Sequence, residues 1–444
     1  MRMLSFREKV SVAVLFAIIV GALLWWATSV FRALTVEIPQ RGGQYSEGIV
    51  GQPLYINPLI SQTSEADADL TKLIYNGLLR YNDSGDIVPD LAERYEVSED
   101  QKIYTLFLRQ DVLWHDGAPF SADDVVFTMS RLKDPSYQSP LRFGWQSVSV
   151  HKQDDHTVVF TLENPSVNFP YSLTVGILPK HIWENTTPER FTLSEHNLQP
   201  IGTGPYYFVD FQKDSHGNIL SYKLRANEKY IHGAPYIEKM EFRFYPDPDH
   251  MIAAYNTREI NGMHNVLPEK ISLLQRTKHT TFHDIQLPRY FAVFFNRTKS
   301  IPLSFTEVRL ALSVATDRWA LINDVLYGKG KPMYSPFAEG DSFYVADAQQ
   351  GAFDKDRAEK ILDDAGWKRG EDGVRSKDGV RLSFTVHTID TWQQIVATAE
   401  ELATQWRSIG ADVTIATHDP SDLTANIIRP REYEIGRASC RERV

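Results

Sequence analysis

The sequence predicts an α/β protein standing behind a single N-terminal membrane-spanning helix, and three observations carry that prediction. First, Tyr104–Leu108 is a strand-like alternation rich in β-branched and aromatic residues. It runs into the turn Trp114-His115-Asp116-Gly117 and then a helix whose Val125, Val126, Met129 and Leu132 share one face. Second, the strand-then-helix order returns later, with RYFAVFFN (Arg289–Asn296) followed by EVRLALSVATDRWALINDVL (Glu307–Leu326). Third, the run from Val10 to Phe31 carries no charge.

With 444 residues and 42% apolar content the chain can bury two or more cores. Its formal net charge of −10 argues against nucleic acid as a partner, because a polyanion would be repelled. Charged residues at 23% are too sparse for a disordered chain of this apolar content. The 12% aromatic share, with nine Trp and twenty Tyr, suits large β-rich cores and equally suits a cleft lined by flat amphipathic rings.

Arg2, Arg7 and Lys9 precede the uncharged run and Arg32 closes it. About 22 residues at a rise of 1.5 Å reach roughly 33 Å, enough for a bilayer core of about 30 Å. Trp25 and Trp26 sit where an aromatic belt lies, and the basic flank places the N-terminus in the cytoplasm. A cleaved signal peptide is the competing reading, with Ala27-Thr28-Ser29 as its cleavage site. Two tryptophans just before that site fit it poorly, so an uncleaved anchor through residues 10–31 is expected. Pro39–Gly43 is a short linker. Asp67–Leu79 carries Leu70, Leu73, Ile74, Gly77 and Leu78 at helical spacing. Ser121 reads as an N-cap with Asp124 three residues on. In Gly202-Thr203-Gly204-Pro205 two glycines and a proline force a backbone excursion before the strand at Tyr206–Val209. Strands are expected from Tyr222 and over Ile237–Tyr245. Helices at Asp354–Trp367 and Thr391–Ile409 and a strand at Asp412–Thr417 complete the pattern.

The run Leu91–Leu132, LAERYEVSEDQKIYTLFLRQDVLWHDGAPFSADDVVFTMSRL, resembles the signature region of the family 5 extracellular solute-binding proteins of ABC importers, the oligopeptide and dipeptide class. YINPL (Tyr55–Leu59), YNGLL (Tyr75–Leu79), PIGTGPY (Pro200–Tyr206), RYFAVFFN, Glu307–Leu326 and DKDRAEKILDDAGW (Asp354–Trp367) match further phrases of the family. Gly42–Gln44 with Gly48–Pro53 looks like the family's opening strand, Met251–Thr257 resembles a helix of its members, and the resemblance spans residues 42–433.

That resemblance implies a two-lobed type II periplasmic-binding-protein fold with an extra subdomain on lobe I. The implied layout is anchor and linker 1–40, lobe I 41–79 and 182–287, inserted subdomain 80–181, and a truncated lobe II 288–433. It implies crossing strands with a hinge at Pro288, Arg289 and Tyr290, and capture of solute by interlobe closure. The implied partners are a peptide or other small solute, ABC permease subunits with their cytoplasmic ATPases, and the cytoplasmic membrane, with the binding domain on its outer side. Peptide affinity would come mainly from main-chain hydrogen bonds. Nickel complexes and sugars are also carried within the family, and a sensor or chaperone-like binding protein would share the fold. No cofactor, metal or catalytic residue is implied. In relatives an acidic residue holding the peptide amine lies in a segment beyond Tyr433.

Loop positions beside the matched phrases give candidate ligand residues: Ser61, Thr63 and Glu65 after the first strand, Tyr137 and Trp145 in the inserted subdomain, and Trp392 and Arg429 in the second lobe. The guanidinium of Arg429 offers a planar fork suited to a carboxylate.

Catalytic motifs are missing: there is no GxSxG, HExxH, CxxC or Walker sequence, which counts against an extracellular hydrolase. His279 and His283 have zinc spacing but no third ligand, and read as surface histidines. Asp247, Asp249 and His250 read as a turn, Asp67/Asp69 and Asp123/Asp124 as helix-start charges, and His115-Asp116 as a structural turn rather than a base and its orienter. The final segment Glu434–Val444, EIGRASCRERV, reads as the in-frame translation of a short-read sequencing adapter. On that reading the only cysteine, Cys440, is artefactual, and the tail is expected to pack against nothing and carry no defined structure.

Overall fold

The computed structural model describes residues 6–35, 38–274, 277–283, 289–335, 352–390, 393–419, 422–428 and 430–441. It divides into two compact units. One holds the chain up to Ser166, Leu173–Pro246 and Ile260–Gly262; the other holds Val167–Ser172, Asp247–Glu259 and the chain from Met263.

The uncharged N-terminal run lies in one helix, Phe6–Leu34. Its stretch Val10–Arg32, 23 residues with a mean hydropathy of 2.5, is long and apolar enough to cross a membrane, and its apolar side chains are exposed.

In the first unit the strand Gly42–Val50 runs parallel to Ile237–Tyr245, with Gly42 opposite Ile237 and Val50 opposite Tyr245. Ile219–Ala226 and Tyr206–Lys213 extend that sheet in antiparallel register. A second, antiparallel sheet has the spatial order Ala92–Val97, Ile103–Leu108, Thr157–Leu162, Val148–Asp154. The alternation in Ile103–Leu108 buries Tyr104, Leu106 and Leu108. The helix Ala122–Lys133 follows, opened by a complete capping box: Ser121 Oγ accepts from the Asp123 amide and Asp124 Oδ2 accepts from the Ser121 amide. Val125, Met129 and Leu132 are buried as their spacing predicts, with Val126 at the margin.

The helix expected over Asp67–Leu79 is shorter: it runs Glu65–Ile74 and stops at an extended Tyr75. Close packing of glycines ends it. The Gly204 amide donates to the Ile74 carbonyl at 2.8 Å, and a Cβ on Gly202 would lie 1.8 Å from that same oxygen. A Cβ on Gly77 would lie 2.7 Å from the Thr174 backbone. The Gly202 and Gly204 pair is therefore required by the approach of one backbone to another; neither residue has a positive φ.

The second unit contains a mixed sheet in the order Arg289–Phe295, Ile435–Arg441, Ser383–Ile389, Asp412–His418. Gln393–Ser408 is the helix connecting its parallel pair Ser383–Ile389 and Asp412–His418. Trp367, Trp406, Phe384, Val386, Leu312 and Ile435 sit in one core cluster. The single helix expected over Glu307–Leu326 is broken into Thr306–Val314, Arg318–Ala320 and a π-turn at Leu321–Val325. The break has a local cause. Thr316 Oγ1 donates back to the Leu312 carbonyl, Trp406 Nε1 donates to that carbonyl and to Thr316 Oγ1, and Asp317 caps a fresh turn through the Ala320 amide.

The expectation that Glu434–Val444 carries no defined structure is overturned over Ile435–Arg441. This strand pairs with Arg289–Phe295 on one side and Ser383–Ile389 on the other. Ile435 is fully buried, the Glu434 carbonyl accepts from the Asn296 amide, and Glu434 Oε2 accepts from the Thr385 amide. Strand pairing runs through the main chain, so an unpaired edge accepts a segment of almost any composition. Asp247, Asp249 and His250 open the helix Pro248–Asn256, with Asp247 as N-cap of His250, rather than closing a simple turn.

Gly202→Ala is expected to lower unfolding free energy by roughly 1–3 kcal/mol or more, the scale of overpacking a tight contact. Urea unfolding of the variant measures it, and an unchanged midpoint and slope would contradict the packing account.

Candidate ligand-binding site

The segment carrying Ser61, Thr63 and Glu65 is held by two side chains. Asn57 is buried, accepts the Leu59 amide on its Oδ1 and bonds Asn197 through its Nδ2. Asp67 Oδ1 accepts the Leu54 and Tyr55 amides at 2.7 and 2.9 Å. Between these anchors Ser61–Thr63 makes one 3₁₀ turn and Ser64 caps the helix that begins at Glu65. Ser61 is buried, with its amide on the Asn57 carbonyl, so its side chain faces protein. Glu65 is exposed at the helix start. Of the three it presents a solvent-facing charge, on the end of a helix where negative charge is favoured.

The Trp114–Gly117 turn is tied to the Gly202–Gly204 loop through His115. Its Nδ1 accepts the Gly202 amide at 3.2 Å and its Nε2–H donates to the Gly204 carbonyl at 3.1 Å, which fixes the tautomer. Burial pushes the imidazole down to about 4. Asp116 points elsewhere, its Oδ2 2.8 Å from His181 Nε2, so the pair is not a base with its orienter. Behind the loop, Thr203 Oγ1 donates to Asn76 Oδ1, Asn76 Nδ2 donates to the buried Asp90, and Asp90 Oδ1 lies 2.7 Å from His232 Nε2.

Tyr137 and Trp145 are expected to face a ligand; the structure instead buries both rings in the first unit. Tyr137 is edge-on to Phe191 at 5.0 Å and its hydroxyl donates to the Thr186 carbonyl, while Trp145 lies 6.1 Å from Phe160. Each is 4% exposed, because the 3₁₀ turns Pro135–Tyr137 and Arg142–Trp145 roll their last ring inward. The aromatic that this loop presents to solvent is Phe143, 69% exposed, a residue the loop-position argument passed over. Its place in a turn gave no periodicity from which its direction could be read. A surface hollow of about 440 Å³ on the first unit is lined by Val126, Ser130, Lys133, Asp134, Ser149 and Val150, with none of the candidate residues.

In the second unit the parallel strands Ser383–Ile389 and Asp412–His418 end side by side, Ile389 opposite His418. The carboxyl ends of parallel strands are where open α/β sheets place ligands. Asp390 follows one strand, its amide on the His418 carbonyl. Trp392 and Arg429, the candidates from this unit, lie outside the described residues, as does Pro288. Arg289 and Tyr290 begin the strand Arg289–Phe295, in register with Arg441 and Cys440. His279 and His283 are exposed, and no group of three or more His, Cys, Asp or Glu suited to a metal occurs among the described residues.

The model of the bacterial extracellular solute-binding proteins, family 5 middle, matches residues 86–438. The chain is 29% identical over 357 residues to the oligopeptide-binding protein AppA of Bacillus subtilis, covering 79% of this chain and 64% of that protein. It is 29% identical over 408 residues to the dipeptide-binding protein of Escherichia coli, covering 83% and 70%. The structure of AppA with a nonapeptide superposes with a TM-score of 0.71 at 27% identity, covering 90% of this chain and 80% of that one. NikZ from Campylobacter jejuni in complex with Ni(L-His) gives a TM-score of 0.71 at 26% identity, covering 89% and 77%. The fold is thus that of the periplasmic binding proteins, and the sequence match spans less than two thirds of the length of the Bacillus subtilis relative.

His115 makes acid stability a test of the clamp. Between the ordinary imidazole value of 6.5 and about 4 the unfolded chain binds a proton that folded His115 refuses. Stability therefore falls as pH drops through that window, by about 3 kcal/mol in all at this site. His115→Gln, which keeps an acceptor and a donor but takes no proton, is expected to flatten that part of the curve in urea unfolding at stepped pH. An identical pH profile for the variant would refute the clamp.

Proposed function

This chain belongs to family 5 of the bacterial extracellular solute-binding proteins, and from that premise we propose that it is the membrane-tethered substrate-binding component of an ABC importer, capturing peptides outside the cytoplasmic membrane and delivering them to a permease. The observation that carries this reading is the match over residues 86–438 together with likeness to two proteins named for peptide binding. Peptide recognition through main-chain hydrogen bonds and capture by lobe closure follow as the proposed mechanism. No bond is made or broken in that cycle, so its residues bind and orient rather than catalyse. Glu65 and Arg429 are the proposed charged contacts, for an amine or basic group and for a carboxylate respectively. Pro288, Arg289 and Tyr290 are the proposed hinge. The helix Val10–Arg32 supports the tether by its length and hydropathy. Carriage of a nickel complex is the second reading, favoured by the equal TM-score of NikZ with its Ni(L-His) ligand.

Two experiments test the proposal. Calorimetry on the full chain is expected to show Arg429→Ala weakening an acidic peptide by roughly 1.5–3 kcal/mol, the range for a hydrogen bond to a charged group, while sparing a neutral, C-terminally amidated one. Equal loss for both peptides, or none, removes Arg429 from the site. In bacteria the protein is expected to pellet with membranes and resist carbonate extraction. A soluble form whose N-terminus begins between Ser29 and Arg41 would overturn the tether.

A further inference from the structure

Two histidines of the second unit form a contact that neither the fold nor the proposed function requires. His387 lies on Ser383–Ile389 and His418 ends Asp412–His418; the register Ile389 opposite His418 puts both on one sheet face. The opposite face carries Phe384, Val386 and Val413 into the core, which leaves the histidines half-buried. Their rings are nearly parallel, 19° apart with centroids at 5.2 Å, and His387 Nδ1 lies 3.0 Å from His418 Nε2. The other nitrogen of His418 is 3.2 Å from Asp422 Oδ2, and Asp422 Oδ1 accepts from Asn426 Nδ2 at 2.8 Å. One chain of hydrogen bonds thus runs from a strand interior, through the end of its neighbour, into the π-helical segment Leu423–Ile428.

The proton inventory of this chain is restrictive. A hydrogen bond between His387 Nδ1 and His418 Nε2 holds one proton, donated by one ring and accepted by the other. His418 Nδ1–H meanwhile donates to the Asp422 carboxylate. When both rings are protonated an N–H stands on each facing atom, and the bond becomes a contact between two cations. The surrounding charges are carboxylates. Asp422 faces His418; Glu434, whose Oε2 sits on the Thr385 amide, acts on His387. Asp419 follows His418 directly, and Asp390 is joined to the His418 carbonyl by its amide. Burial of His387 and the charge of His418 hold the His387 ring below the usual imidazole value, against the opposing pull of Glu434.

We propose that His387 and His418 are an acid-opened latch, tying the carboxyl ends of the two parallel strands to Asp422 and the π-helical segment behind it, and released when both rings are protonated. The latch is built from side chains of the second unit alone. Its place at the carboxyl ends of parallel strands makes the neighbouring backbone pH-responsive, whatever occupies that edge.

Amide hydrogen exchange and histidine NMR on the full chain, without ligand, test it at about pH 7.5 and about pH 5, either side of the ordinary imidazole range. After correction for intrinsic exchange, protection at Asp390, His418 and Leu423 is expected to fall at least about tenfold at the lower pH, while the Phe384 and Val413 amides of the core stay protected. In wild type one histidine resonance titrates below the ordinary range. In His418→Gln, whose amide can hold Asp422 and accept from His387 without taking a proton, the local loss is expected to vanish and the His387 resonance to move up. Unchanged protection in wild type, a loss spread evenly over the core, or the same local loss in His418→Gln would each overturn the latch. The wild-type measurement decides the first two without any variant.

Discussion

The first unit depends on one backbone contact: the Gly202–Gly204 loop lies directly against the carboxyl end of the helix Glu65–Ile74. The Gly204 amide takes the Ile74 carbonyl, and no side chain fits between the two segments. The other polar groups around the loop are arranged by that approach. His115 bridges Gly202 and Gly204 only because they present an amide and a carbonyl on the same side, and Thr203 between them reaches the buried Asn76. Asn76 in turn holds Asp90, and Asp90 holds His232, so the loops that follow Ile74, Pro89 and Ala226 share one hydrogen-bonded network. A buried network of this kind is stable because each member is satisfied; widening one contact leaves several polar groups unpaired together.

Much of this was legible from the residues. Strand Ile103–Leu108 declared itself by its alternation, the helix from Ser121 by its cap and apolar face, and the N-terminal helix by its uncharged length. Misplaced boundaries had tertiary causes that local periodicity does not encode. Leu78 keeps helical spacing from Leu70 and Ile74, yet the chain is extended by Tyr75 because a distant glycine claims the Ile74 carbonyl. Thr316 and Asp317 sit inside an amphipathic pattern, yet the indole of Trp406, ninety-four positions beyond Leu312, diverts the Leu312 carbonyl. The need for glycine at positions 202 and 204 was visible; its cause, a steric approach rather than an unusual dihedral angle, was not.

The ligand residues were less legible than the fold. Loop position says that a side chain is near an edge, but the turn a residue ends decides whether it faces out. Tyr137 and Trp145 end 3₁₀ turns and face in, while Phe143 within the second turn faces out. The outward direction of Glu65 follows from its place at a helix start. The His387–His418 contact was not, since thirty-one residues separate them and only parallel register brings them to one face.

The identity of the solute is the center of the account, and the protein itself can report it. Mass spectrometry of small molecules released on denaturing the protein purified from membranes reads the natural occupant directly. Peptides in near-stoichiometric amount are the predicted result. A nickel complex or a sugar in that amount, with no peptide, would contradict it.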